Sequence, residues 1–331
     1  MTIAPHQPPS SLSSKTMRAM ASRHGLRSLG WLISLALLGV MTWLLHRYLS
    51  VIAWSDVARA WSQLPAHRIA ASLAASAISL WMLALFDVIA ARVVVGRRVS
   101  MRLSAFAGAV TQAVSNTLGF HAITGGAVRY RIYIAAGIDG GDIARIVALA
   151  GLGVAMGFAI SITAALCWQP SIAAGWGRGP GIVMALGLLG LLVWLARRPR
   201  QLRLWQWHLV FPSAGTAALQ MLVGALEMAG AIGALYVLLP APIAPPFIDF
   251  LPIYVGAVVT GILSHTPGGI GVFEAIMLAA FPAPARADLL MALICYRVTY
   301  NLLPFMLGTL ALGVFELAVR RGMRFQQRGD G

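Results

Sequence analysis

Two stretches decide the fold: SNTLGFHAITGGAVRYRIY at residues 115–133 and SHTPGGIGVFE at residues 264–274. Each lies inside an apolar segment of membrane length, and each carries a glycine pair and ions. Hydrocarbon offers a peptide group no hydrogen-bond partner. Irregular backbone therefore survives at that depth only when buried in protein or facing a wet cavity. Ions there are costly and usually functional. Two such breaks, one in each half of a polytopic chain, predict the centre of a transporter-like fold.

The rest of the chain agrees. Of its 331 residues 59% are hydrophobic and 11% charged, with mean hydropathy +0.79. A soluble domain is about a quarter charged. Apolar segments fall at 28–46, 68–91, 104–137, 142–166, 180–196, 213–239, 248–281 and 285–319. The formal net charge of +15 does not point to nucleic acid. Four clusters flank the spans: Lys15/Arg18/Arg23/Arg27, Arg92/Arg97/Arg98/Arg102, Arg197/Arg198/Arg200/Arg203 and Arg320/Arg321/Arg324/Arg328. That is the positive-inside pattern, with anionic headgroups as counterions.

If all four clusters are cytoplasmic, an even number of crossings separates neighbours. Segments 142–166 and 180–196 already make two, as do 213–239 and 285–319. Segments 104–137 and 248–281 must then enter and leave on one side. The expected fold is an all-α polytopic membrane protein with six full spans and two re-entrant hairpins, or eight or more spans if the hairpins cross. Both termini are expected in the cytoplasm, on the inner membrane. Each hairpin is expected to split near its middle at its glycine pair, giving arms of about 16–17 residues, near the length that crosses the hydrocarbon.

Residues 28–166 then read span, span, hairpin, span, and residues 180–319 read the same from the other side. That is an inverted repeat. Residues 1–27 form a basic tail, 167–179 a loop and 320–331 a second basic tail. The outer stretch 51–64 has the pattern of an interfacial helix. Gly153 and Gly157 form a GxxxG suited to helix packing. Cys167 and Cys295 have no spacing that suggests a disulfide or metal.

The candidate site residues come from the breaks and from lone ions in spans. In the first hairpin these are Asn116, His121, Arg129 and Arg131, with Gly125 and Gly126 as the backbone hinge. Guanidinium forks beside a half-helix N-terminus suit a phosphate. The competing reading makes both arginines solvated charges at the hairpin exit. In the second hairpin, Pro267, Gly268 and Gly269 form the hinge, and His265 reads as a packing residue. Glu274 would accept an amine or a proton, or pair with a base from the first hairpin. Glu227 and Arg297 lie inside spans, where a lone charge costs about 2.5–3.5 kcal/mol, so neither should face lipid. They could pair with each other. Pro304 predicts a kink after Arg297, and Asp87 is placed near an interface.

No HExxH, GxSxG or P-loop pattern occurs, and no metal or cofactor is expected. The chain does not read as an enzyme.

The runs Ser115-Asn116-Thr117-Leu118-Gly119, Thr124-Gly125-Gly126-Ala127-Val128-Arg129-Tyr130-Arg131-Ile132-Tyr133 and Gly137-Ile138 resemble the membrane domain of lysylphosphatidylglycerol synthase/flippase proteins. Pro267 to Glu274 and Tyr296-Arg297 through Pro304 are similar to later motifs of that family. The resemblance covers roughly residues 28–320. It implies the translocating half of that family without its soluble aminoacyl-transfer domain: movement of an aminoacylated or related phospholipid between leaflets. Arg129, Arg131 and Arg297 would take the lipid phosphate, with Glu274 and Glu227 facing a cationic headgroup. Two rival readings are a non-transporting subunit that docks a separate synthase, and an intramembrane lipid-modifying enzyme built around His121, His265 and Glu274.

Overall fold

The computed structural model describes residues 62, 64–119, 121–168, 178–197, 201–204, 207–210, 212–264 and 267–322. The expected span 28–46, the interfacial stretch before residue 62, the N-terminal basic tail, residues 323–331 of the C-terminal tail, His265 and Thr266 lie outside them. The chain is a polytopic helical membrane protein. Its helices are α1 (Ala66–Val94), α2 (Met101–Leu118), α3 (His121–Ala135), α4 (Gly140–Trp168), α5 (Gly179–Arg197), α6 (Ala214–Tyr236), α7 (Phe247–Leu263), α8 (Val272–Ala280), α9 (Arg286–Tyr296) and α10 (Leu303–Arg320). A π-helical turn, Arg297–Leu302, joins α9 to α10. Helices α1, α4, α5, α6 and the continuous Arg286–Val319 rod are long and apolar enough to cross a bilayer. They match the expected spans within a few residues. One departure from pure helix follows α5: Gln201–Leu204 (β1) pairs antiparallel with Trp207–Val210 (β2). The stretch QLRL alternates polar and apolar residues, the period of a strand.

Side-chain oxygens start several helices. Ser100 Oγ accepts the Leu103 N–H at 3.2 Å ahead of α2, and Ser213 Oγ accepts the Thr216 N–H at 3.1 Å ahead of α6. Such caps satisfy N–H groups that the first turn leaves open. Asp139 does the same for α4, accepting from the Asp142 and Gly141 N–H groups. Those bonds hold its exposed carboxyl below the ordinary value.

Close helix crossings are built on missing side chains. A Cβ on Gly157 would sit 2.8 Å from Gly224 Cα, so α4 and α6 touch backbone to backbone. The expected GxxxG face is therefore a packing face. A Cβ on Gly108 would sit 2.8 Å from Ala84 O, bringing α2 against α1.

Helix α1 packs on α6 and α2. Helix α4 packs on α6 and α7, the π-turn packs on α1 and α2, and α10 packs on α2. Each hairpin also has its own core. Val128, Ile132 and Tyr133 of α3 pack with Phe86, Ile146, Phe305 and Phe315. Phe273 and Met277 of α8 pack with Phe250, Tyr254, Leu289 and Tyr296.

The hairpin breaks differ from the expectation in one place. In the second, the chain turns at the expected pair: Gly268 and Gly269 have φ of 60° and 65°, and Gly271 has 84°. In the first, helix α3 runs straight through Gly125 and Gly126. The break falls earlier, at Gly119, whose φ is 73°. Only glycine adopts such φ values without a steric penalty. The turn is tied down locally: the Gly119 N–H bonds to Ser115 O at 2.9 Å, and Thr124 Oγ1 donates to Gly119 O at 2.9 Å.

Candidate functional site

The tips of the two hairpins meet. A Cβ on Gly268 would lie 2.9 Å from the carbonyl oxygen of Thr117 at the end of α2. Both tips also fasten to the π-turn. Thr117 Oγ1 donates to the carbonyl of Asn301 at 3.2 Å, and Arg297 Nη1 donates to the carbonyl of Gly268 at 2.7 Å. A π-turn frees and re-aims backbone groups, and such turns are frequent at functional sites. The kink expected at Pro304 is replaced by this turn just before it, with Pro304 in the first turn of α10.

Arg297 is the centre of the arrangement. Its Nε donates to Glu274 Oε1 at 2.6 Å. Its guanidinium lies over the Phe273 ring, 5.3 Å from the centroid, a cation–π distance. The other Glu274 oxygen, Oε2, accepts the N–H of Gly271 at 2.8 Å and so starts α8. One carboxylate thus holds both the hairpin turn and the arginine. Glu274 pairs with Arg297, not with a base of the first hairpin, and Arg297 does not pair with Glu227.

Around this pair stands an aromatic wall. Phe273 stacks on Tyr296 and Tyr296 on Tyr300, with centroids 6.0 and 5.0 Å apart. The hydroxyls of Tyr254 and Tyr296 are 2.6 Å apart. Asn301 Oδ1 is buried without a hydrogen-bond partner among the described residues. On the first hairpin, His121 Nε2 donates to Asn116 Oδ1 at 3.0 Å. Two apolar side chains near the hairpin turns are exposed, Ile123 of α3 at 73% and Leu263 at the end of α7 at 69%.

Arg129 and Arg131 do not converge on this point. Arg129 grips Asp87 of α1 with both forks, Nε to Oδ1 and Nη2 to Oδ2, each at 2.7 Å. Asp87 is fully buried, its carboxylate turned to Arg129. Arg131 reaches the other way, its Nη2 2.6 Å from Glu316 Oε2 on α10. Neither arginine is a solvated loop charge. Gly125 explains itself here. A Cβ on it would lie 3.1 Å from Arg129 Nη1, 3.1 Å from Ser115 Oγ and 3.2 Å from Thr111 Cγ2. It makes room for the guanidinium and does not bend the chain. Glu316 went unnoticed in the sequence. A carboxylate inside the last span that needs a cation was the available signal.

Glu227 stands apart, accepting from Ser79 Oγ at 3.1 Å and Tyr300 Oη at 3.3 Å. Among the described residues no three His, Cys, Asp or Glu side chains are placed to hold a metal.

No family model matches the chain. Two proteins are similar over most of their length. One is the "Uncharacterized protein slr0712" of Synechocystis, 29% identical over 296 residues, 86% of this chain and 90% of the relative. The other is "Inner membrane protein YbhN" of Escherichia coli, 26% identical over 309 residues, 85% of this chain and 93% of the relative.

Proposed function

We propose that this protein moves a phospholipid with an anionic backbone between leaflets of the cytoplasmic membrane, with both termini in the cytoplasm. The observation that carries the reading is the meeting of two broken hairpins on one arginine-bearing π-turn. Polar groups converge there, and apolar side chains near the hairpin turns, Ile123 and Leu263, are exposed. A lipid needs that combination: polar groups for the headgroup and apolar surface for tails that stay in hydrocarbon.

The pair Arg297–Glu274 is the working element. A lipid phosphate competes with the Glu274 carboxylate for the guanidinium, because both present two oxygens to the same fork. A cationic headgroup, as on an aminoacylated lipid, would then take the released carboxylate. Arg297 also donates to the Gly268 carbonyl at the hairpin tip, so substrate binding and hairpin movement are linked through one side chain. Arg129 and Arg131 are positioning residues that fix the first hairpin. The resemblance to the flippase domain and the similarity to an inner membrane protein support the reading. The protein is no lipid-modifying enzyme on this view, and phospholipid is its partner.

The test is headgroup-labelled phosphatidylglycerol, and its lysyl derivative, in proteoliposomes of purified protein. Wild type should move label between leaflets, and Arg297→Ala and Glu274→Ala should lose most of that movement. Wild-type protein that is folded, inserted and inactive with both lipids overturns the proposal and favours a docking subunit for a separate synthase.

A further inference from the structure

The ions inside the bundle do not balance, and the imbalance has one address. Each of the three inner arginines takes one carboxylate: Arg129 takes Asp87, Arg131 takes Glu316 and Arg297 takes Glu274. Glu227, at mid-length of α6, takes no cation among the described residues; its partners are two hydroxyls.

Its surroundings are built for a group that changes charge. From α1, Ser79 Oγ reaches both Glu227 and the Tyr300 hydroxyl, the latter at 2.9 Å. Ser72, two turns earlier on that face, bonds to Thr299 Oγ1 at 3.0 Å and to the carbonyl of Ala234 at 2.7 Å. Ser76 lies between them, four residues after Ser72 and three before Ser79, so it shares their helix face. It is 2% exposed, and its hydroxyl has no partner among the described residues. The seam is a column of rotatable O–H groups, each able to donate or accept. Such a column serves a carboxylate by donating and a carboxylic acid by accepting. A fixed cation would serve only the first.

The other faces add no charge. The π-turn brings Tyr300, and behind it stand Tyr254 of α7 and Tyr296 of α9, bonded to each other. Helices α4 and α5 also pack on α6 but carry their ionisable groups only near their ends. Arg297 is engaged by Glu274 and Gly268. Glu227 itself is half-buried.

We propose that Glu227 is a proton-binding site, a carboxyl that takes up and releases one proton within the membrane part of the protein. Release leaves a carboxylate held by the Ser79 and Tyr300 hydroxyls, and the proton passes to water. Tyr300 and Arg297 share one six-residue turn, so a change in the Tyr300 bond acts on the element that holds Arg297. On the translocase reading this proton couples the headgroup site to the proton gradient. That step rests on the proposed function; proton binding itself does not.

The experiment is infrared spectroscopy of full-length protein in proteoliposomes without labelled lipid, stepping the pH across neutrality and reading the protonated-carboxyl C=O band. Wild type should show a band that disappears on alkalinisation, and Glu227→Gln should lack it. Tyr300→Phe removes one donor to the carboxylate and should move the midpoint up by about one pH unit. It keeps the test valid should Glu227→Gln fail to fold. The inference falls if wild type and Glu227→Gln give the same spectra. It also falls if the Glu227 band persists at every pH the folded protein tolerates, or if Tyr300→Phe leaves the midpoint in place. A titrating band in a protein that moves no lipid overturns the translocase reading alone.

Discussion

The two hairpins carry similar signals and are built differently. The first has arms of 18 and 15 residues, one positive-φ glycine at its turn, and two arginines locked to carboxylates on neighbouring spans. The second has arms of 17 and 9 residues, three positive-φ glycines, and one ion pair whose members are 12% and 20% exposed. The first is anchored from both sides. The second leans on one less buried pair, which also shapes its own turn. In a membrane an ion is not by itself a site. A charge with a fully buried partner fixes structure, and a charge whose partner can be reached from outside can be exchanged.

The comparison breaks first, and hardest, at Asp87. Replacing it by Ala leaves the Arg129 guanidinium buried without its bidentate partner. Stripping one member from a buried pair costs about 3–5 kcal/mol. Thermal unfolding in mild detergent should show a loss of that order, with poor recovery of folded protein. If Asp87→Ala melts like wild type, the first hairpin is not anchored as described.

Glu274→Gln tests the opposite member. Its pair is less buried than Arg129–Asp87, 12% and 20% exposed against 8% and 0%, so its loss should cost less than that of Asp87. The melting temperature should fall only slightly while lipid movement is largely lost. A large stability loss with movement intact would make the second hairpin a scaffold like the first.

How much of this was legible before the structure follows from the same contrast. Spans announced themselves by length and apolarity, and both hairpins by the parity of basic clusters. PGGIG broke the second hairpin where expected, because proline followed by glycines leaves a helix little to continue with. TGGAVRYR misled. Gly125-Gly126 has no proline beside it and is spanned by α3, while the turn came from the single Gly119. A glycine serving close approach and one serving positive φ look alike in sequence. The ion pairs were illegible for another reason: Arg129 and Asp87 are 42 residues apart, and Arg131 and Glu316 are 185 apart. No spacing rule links them. Counting inner carboxylates against inner arginines would have signalled that partners existed, though not which.

A smaller effect separates the turns. Gly268 has φ of 60° and faces the Thr117 carbonyl, so Gly268→Ala adds both strain and a clash. The left-handed conformation alone costs about 1–2 kcal/mol for a residue with a Cβ. The tips should separate, and cysteines at Thr117 and Gly269 should cross-link less readily in the variant. Unchanged cross-linking would mean the tips are not held by that contact.

The smallest effect sharpens the comparison most, because its sign is at stake. Gly125 and Gly126 are adjacent in one helix, yet a Cβ on Gly125 meets Arg129, Ser115 and Thr111, and one on Gly126 meets nothing within 4 Å. Alanine relieves the entropic cost of a helical glycine, about 0.5–1 kcal/mol, wherever it fits. Gly126→Ala should therefore raise the melting temperature slightly. Gly125→Ala should lower it by pushing on the buried guanidinium. A hinge would respond otherwise: both substitutions would stiffen a required bend, and both would cost activity. Opposite signs at two neighbouring glycines would mark α3 as a rigid strut. The Gly119 and Pro267–Gly271 turns would then be the places where the hairpins can open.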